Sequence, residues 1–93
     1  MRLSDKEIEF INKTIKDFID CEIYLFGSRI DDNKRGGDID LYIIPKGEYN
    51  EFELSMKIRE ILENELYLPV DLIFAKDKNR DIEKIALKGI KIG

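Results

Sequence analysis

Three aspartates and a Gly-Ser step are the residues whose types and spacing point to chemistry. Asp38 and Asp40 open an apolar run reading Asp-Ile-Asp-Leu-Tyr-Ile-Ile. Side chains alternate faces along a strand, so Asp38 and Asp40 share one side while Ile39, Leu41 and Ile43 take the other. Their Cα atoms then stand roughly 6.5 to 7 Å apart, near enough for both carboxylates to lean onto one cation. Like charges on a face that also carries Tyr42 and Ile44 raise each other's cost of ionising, a penalty that a divalent cation reverses. Hard oxygen ligands suit magnesium, which keeps several waters and takes one or two carboxylates plus substrate phosphates. Upstream, the apolar run 23–26 stops at Gly27-Ser28-Arg29. A strand ending in Gly-Ser offers backbone N–H groups and a hydroxyl to an anion. The combination reads as a site for a metal-bound phosphate.

Each piece also has a plainer reading. Asp-x-Asp at the start of a strand is a common solvated edge, and Gly-Ser is ordinary turn chemistry. The planar guanidinium of Arg29 suits bidentate phosphate contact and equally a salt bridge inside the fold, while Lys34 and Arg35 read as solvated. A third carboxylate tips the balance. Residues 69–75, Pro-Val-Asp-Leu-Ile-Phe-Ala, form another strand pattern that Asp71 interrupts. Val70, Leu72 and Phe74 take one face and Asp71, Ile73 and Ala75 the other. A charge inside a buried strand is expensive unless paired or metal-bound, so the expectation is a buried Asp71 lying beside Asp38 and Asp40.

These residues together resemble a known family. Leu25-Phe26-Gly27-Ser28-Arg29, nine residues from Arg29 through Gly37, then Asp38-x-Asp40-Leu41 and a lone Asp71 in a later strand are similar to the nucleotidyltransferase superfamily of DNA polymerase beta. The short length and the wording Gly-Gly-Asp-Ile-Asp-Leu most resemble its minimal nucleotidyltransferases, the MNT proteins that accompany HEPN-domain toxins. The motifs span residues 22–75. Gly37 stands where many relatives carry Ser. The resemblance implies an α/β fold, a small mixed sheet packed against helices. It also implies ATP as donor, AMP as the transferred group and a tyrosine hydroxyl on a cognate HEPN toxin as acceptor, with the chain acting as antitoxin. On this reading Asp38, Asp40 and Asp71 hold two magnesium ions, stabilising attacking and leaving oxygens together. Gly27 and Ser28 cradle the terminal phosphates, with Arg29 assisting, and Asp71 helps draw the acceptor proton. The sequence has no histidine, the commonest general base, so a carboxylate or a metal-bound acceptor must serve.

The elements that must position these residues follow from periodicity. Ser4 with Glu7 makes a capping box and Leu3 with Ile8 a hydrophobic staple, predicting a helix over 4–19 with Ile8, Ile11, Ile15, Phe18 and Ile19 as its apolar stripe. A second helix is expected over 49–64, burying Leu54, Ile58, Ile61 and Leu62 and showing solvent Glu51, Glu53, Glu60 and Glu63. A third, over 79–88, turns Ile82, Ile85 and Ala86 inward and ends at Gly89, a natural residue after a helix C-terminus. Residues 90–92 suit a short edge strand or a packed tail.

Bulk properties bound the remaining choices. Ninety-three residues fit a single domain, 1–93, with a modest core. Twenty acids against sixteen bases give a net charge of −4, which disfavours general attraction to nucleic acid or anionic membrane. The lone Cys21 excludes an internal disulfide, no secretory leader opens the chain, and no apolar run approaches the roughly 18 residues of a membrane span. The expectation is a cytoplasmic protein, with homo- and hetero-oligomers both left open. A non-catalytic module that masks its partner by contact is the alternative. Transfer to a small molecule usually needs a further domain, and a sugar-nucleotide transferase is disfavoured by the Gly-Ser spacing.

Overall fold

A capping box begins the first helix, as the Ser4 and Glu7 pattern requires. The Glu7 N–H donates to Ser4 Oγ at 3.1 Å and the Ser4 N–H to Glu7 Oε1 at 2.9 Å, satisfying donors that a helix start leaves without partners. The structure, a computed structural model, describes residues 3–27 and 37–93. Its elements run α1 (Asp5–Phe18), β1 (Cys21–Phe26), β2 (Ile39–Pro45), α2 (Glu51–Leu66), β3 (Val70–Phe74), α3 (Asp81–Leu87) and β4 (Ile90–Lys91).

The four strands form one mixed sheet in the order β3-β2-β1-β4. β1 is antiparallel to β2 and β4, while β2 and β3, joined through α2, run parallel. Period-two alternation divides the sheet into two apolar faces. Ile23, Leu25, Ile39, Leu41, Ile43, Val70 and Phe74 pack with Ile11 and Ile15 of α1 and Ile58 and Leu62 of α2. On the opposite face Phe26 and Tyr42 meet Ala86 of α3, with Tyr24, Ile44, Ile73 and Ala75 around them. The larger core thus lies under α1 and α2, and among the described elements α3 covers part of the other side. The expected α/β architecture, the alternation of Val70, Leu72 and Phe74 against Asp71 and Ile73, and the short edge strand at 90–91 stand.

Several details differ from the expectation. Helix α2 runs to Leu66, because Asn50 caps it by accepting from the Glu53 N–H and the chain leaves only at Tyr67, whose φ of 56° is left-handed. Phe18 is 41% and Ile61 40% exposed, each lying at the edge of a stripe whose centre is Ile11, Ile15, Ile58 and Leu62. In α3 the inward positions are Glu83 and Ala86, and Ile82 and Ile85 face outward. Gly89 sits where a helix-ending glycine was expected, for a different reason: a Cβ there would run into the Leu25 carbonyl oxygen, so glycine lets the turn into β4 lie close on β1.

Candidate active site

Strand direction assembles the site. Because β1 and β2 are antiparallel, the C-terminal end of β1 meets the N-terminal end of β2, with Phe26 opposite Asp40. Because β2 and β3 are parallel and in register, Asp40 lies opposite Asp71. Phe26, Asp40 and Asp71 therefore line up across three strands at one end of the sheet, with Gly27 immediately past the end of β1.

Gly27 has φ +78°, and a Cβ at this position would overlap the Asp40 carboxylate. Glycine here meets two needs at once, a left-handed turn out of β1 and room for the carboxyl of the neighbouring strand. Asp38 is exposed just before β2. Asp71 is also exposed, which corrects the expectation of a buried charge: β3 is an edge strand and its site face opens to solvent.

The Asp40 carboxyl is held above its ordinary range. Burial contributes most, then the negative charges of Asp71 and Asp38, then a hydrogen bond shared with Asp71. The Asp40 and Asp71 carboxyls thus face each other as like charges, each making the other harder to ionise. Among the described residues no group of three or more His, Cys, Asp or Glu side chains forms a ready-made metal cage. The pair nevertheless fits magnesium, since hard carboxylate oxygens are its usual protein ligands and phosphates and waters complete its shell. Ser28 and Arg29, like Lys34 and Arg35, lie outside the described residues.

A cavity of about 370 Å³ adjoins the carboxylates. Phe26, Ile73 and Ile82 give it apolar walls, Asp40 and Asp71 one polar end, and Ser55 and Arg59 of α2 the other, past Leu72. Sequence reasoning missed Ser55, Arg59, Phe26 and Ile82. Ser55 and Arg59 are four apart and so share a helix face, but nothing in the sequence shows that this face borders β3.

A second carboxylate lies over the same face. Glu83 is fully buried and accepts hydrogen bonds from Tyr42 Oη at 2.5 Å, the Asp77 N–H at 2.8 Å, Arg80 Nε at 2.7 Å and the Lys76 N–H at 3.1 Å. Burial alone would raise its pKa, but these donors outweigh it and hold the carboxyl down at about 2. Burial pushes the Tyr42 hydroxyl upward, and its bond to Glu83 adds to that. Tyr42 follows Asp40 by one strand repeat, so Glu83 anchors the strand carrying the site and fixes the turn from β3 into α3.

The sequence profile of the family described as Polymerase beta, Nucleotidyltransferase matches residues 6–92. The chain belongs to this family. Nucleotidyltransferases of this family generally use a nucleoside triphosphate and a divalent metal. The match takes in all of the described helices and strands but the first residue of α1. Comparison with curated proteins returned no match to the chain. No helix among the described residues of this nucleotidyltransferase is long and apolar enough to cross a membrane.

Proposed function

We propose that this nucleotidyltransferase moves AMP from ATP to a hydroxyl on a partner protein, a tyrosine of a HEPN-type toxin, and so acts as an antitoxin in the cytoplasm. The observation that carries the reading is the in-register pairing of Asp40 with Asp71 beside Gly27, with Asp38 near enough to raise the Asp40 pKa. Asp38, Asp40 and Asp71 would hold magnesium, two ions, which when bound neutralise the triphosphate and stabilise attacking and leaving oxygens. Gly27 and Ser28 would present backbone N–H groups to the terminal phosphates, with Arg29 assisting. The acceptor oxygen attacks the α-phosphorus as the bond to the bridging oxygen breaks; pyrophosphate leaves and the acceptor proton passes to Asp71.

Masking of the partner by contact is the second reading, favoured by the large apolar side chains that α2 and α3 expose: Phe52 at 76%, Met56 at 56% and Ile85 at 57%. One experiment separates the two. ATP labelled at the α-phosphate is incubated with magnesium, the chain and the protein encoded beside it, using the native sequence and an Asp38→Asn, Asp40→Asn double variant. Transfer is expected to label the neighbour with the native chain only. A stable complex with no label from any of the four nucleotides would leave masking as the function.

A further inference from the structure

The outer edge of β3 is built to take one more short strand. The Ile39 N–H donates to the Pro69 carbonyl and the Ala75 N–H to that of Ile43, so odd-numbered residues of this stretch turn their backbone groups toward β2. The even-numbered Val70, Leu72 and Phe74 turn theirs outward, and β3 is the outermost of the described strands. Both ends of this edge are closed by side chains. Glu63 Oε2 accepts from the Val70 N–H at 2.8 Å, and Arg80 Nη2 donates to the Phe74 carbonyl at a long 3.4 Å. Between the caps lie the Val70 carbonyl, both groups of Leu72 and the Phe74 N–H. Leu72 is where this edge enters the cavity that holds Asp40, Asp71, Ser55 and Arg59.

Resting on the transfer reading above, we propose that the acceptor is an extended polypeptide segment that pairs with the edge of β3 and presents a tyrosine hydroxyl to the Asp40 and Asp71 carboxylates. Two alternating donor and acceptor pairs, one strand repeat apart, match an extended backbone; a nucleobase edge spans only one of them. A residue of the added strand opposite Asp71 projects on the same sheet face, one strand spacing of about 4.8 Å away. A serine or threonine hydroxyl there stays close to its own backbone. The phenol oxygen of a tyrosine reaches past Asp71 toward Asp40, with its ring along Ile73 and Ile82. The next residue of the segment turns to the other face, where Ser55 and Arg59 stand. Arg59 is half-exposed and makes only a loose contact, 3.8 Å, with Glu63, so an acidic neighbour of the tyrosine completes the match.

The test uses the full chain, labelled with nitrogen-15, and a short amidated peptide with a central tyrosine and an adjacent glutamate. Backbone amide exchange is followed with and without the peptide. The peptide is expected to slow exchange at Leu72 and Phe74 and to leave Asp71 and Ile73, already bonded to β2, unchanged. Leu72→Pro, which removes an outward N–H that the β2 ladder does not use, lowers peptide affinity about tenfold, whereas Leu72→Ala lowers it less than about threefold. N-methylation along the peptide abolishes binding at alternate residues. Unchanged exchange at Leu72 and Phe74 under saturating peptide overturns the proposal, as does protection of both by ATP and magnesium alone. Edge protection without label transfer upholds strand addition and defeats the transfer reading. Label transfer to the neighbouring protein without edge protection does the reverse.

Discussion

Glu83 and the Asp40 and Asp71 pair lie over the same face of the sheet, and burial penalises the charge on Glu83 and Asp40 alike. Their surroundings then part. Glu83 has donors from a tyrosine, an arginine and two backbone amides, and its carboxyl is held at about 2. Asp40 has other carboxylates for neighbours and is pushed upward. The first carboxylate has no capacity left for a ligand. The second faces like charges among the described residues and opens on a cavity. In one small sheet, satisfied hydrogen bonding marks the carboxylate that holds the fold, and unrelieved like charge marks the pair proposed above to hold a cation.

Relieving that like charge gives the largest expected effect. Asp40→Asn lowers label transfer about a thousandfold, near 4 kcal/mol of transition-state stabilisation, while the thermal midpoint holds or rises because like-charge repulsion is relieved. A fall in both together would show that Asp40 is part of the scaffold. Breaking the satisfied site should do the opposite: Glu83→Ala strands two backbone N–H groups and a buried hydroxyl, costing about 2–3 kcal/mol in a denaturant titration, with transfer per folded molecule largely kept. Gly27→Ala strikes between the two, through a strained φ and a clash with the Asp40 carboxyl. It should cost about 1–2 kcal/mol and reduce transfer as well.

Acid sharpens the comparison further. The folded pKa of Glu83 lies below its ordinary value of 4.5, so its contribution is fully present above that value and is lost as pH falls toward about 2. Unfolding midpoints across that window should therefore converge between the native chain and Glu83→Ala. A constant gap would remove Glu83 as the cause. The smallest effect belongs to a carboxylate paired at the surface: Glu22, 3.0 Å from Lys91, is solvated, and Lys91→Ala should leave the unfolding curve within replicate scatter.

Legibility in the sequence followed how local each cause is. The Ser4 capping box and the stripe through Ile11 and Ile15 need only neighbours in the chain, and the structure keeps both. Asp71 was legible as a charge out of place, but its partner depends on a parallel register that no local pattern encodes. Its exposure followed from β3 lying at the sheet edge, which is a property of strand order. Glu83 was unreadable for the same reason. Between Ile82 and Ile85 it looks like a solvated residue, and the amides of Lys76 and Asp77 that make it buriable meet it only through the turn. Arg59 and Ser55 gain meaning only once α2 is seen beside Leu72. The phosphate-cradling roles expected for Ser28 and Arg29 fall outside the described residues, and the left-handed φ of Gly27 serves the turn out of β1 and the room taken by Asp40.

The register that sets Asp40 opposite Asp71 also constrains how this chain can change in length. Side chains alternate, so one residue inserted within β3 ahead of Asp71 would turn its carboxylate into the core and bring an apolar neighbour to the site. The same insertion in the turn around Gly47, before α2 begins, leaves every strand in phase. Related chains that keep the reaction should therefore differ in length at that turn and agree, residue for residue, from Pro69 to Asp71.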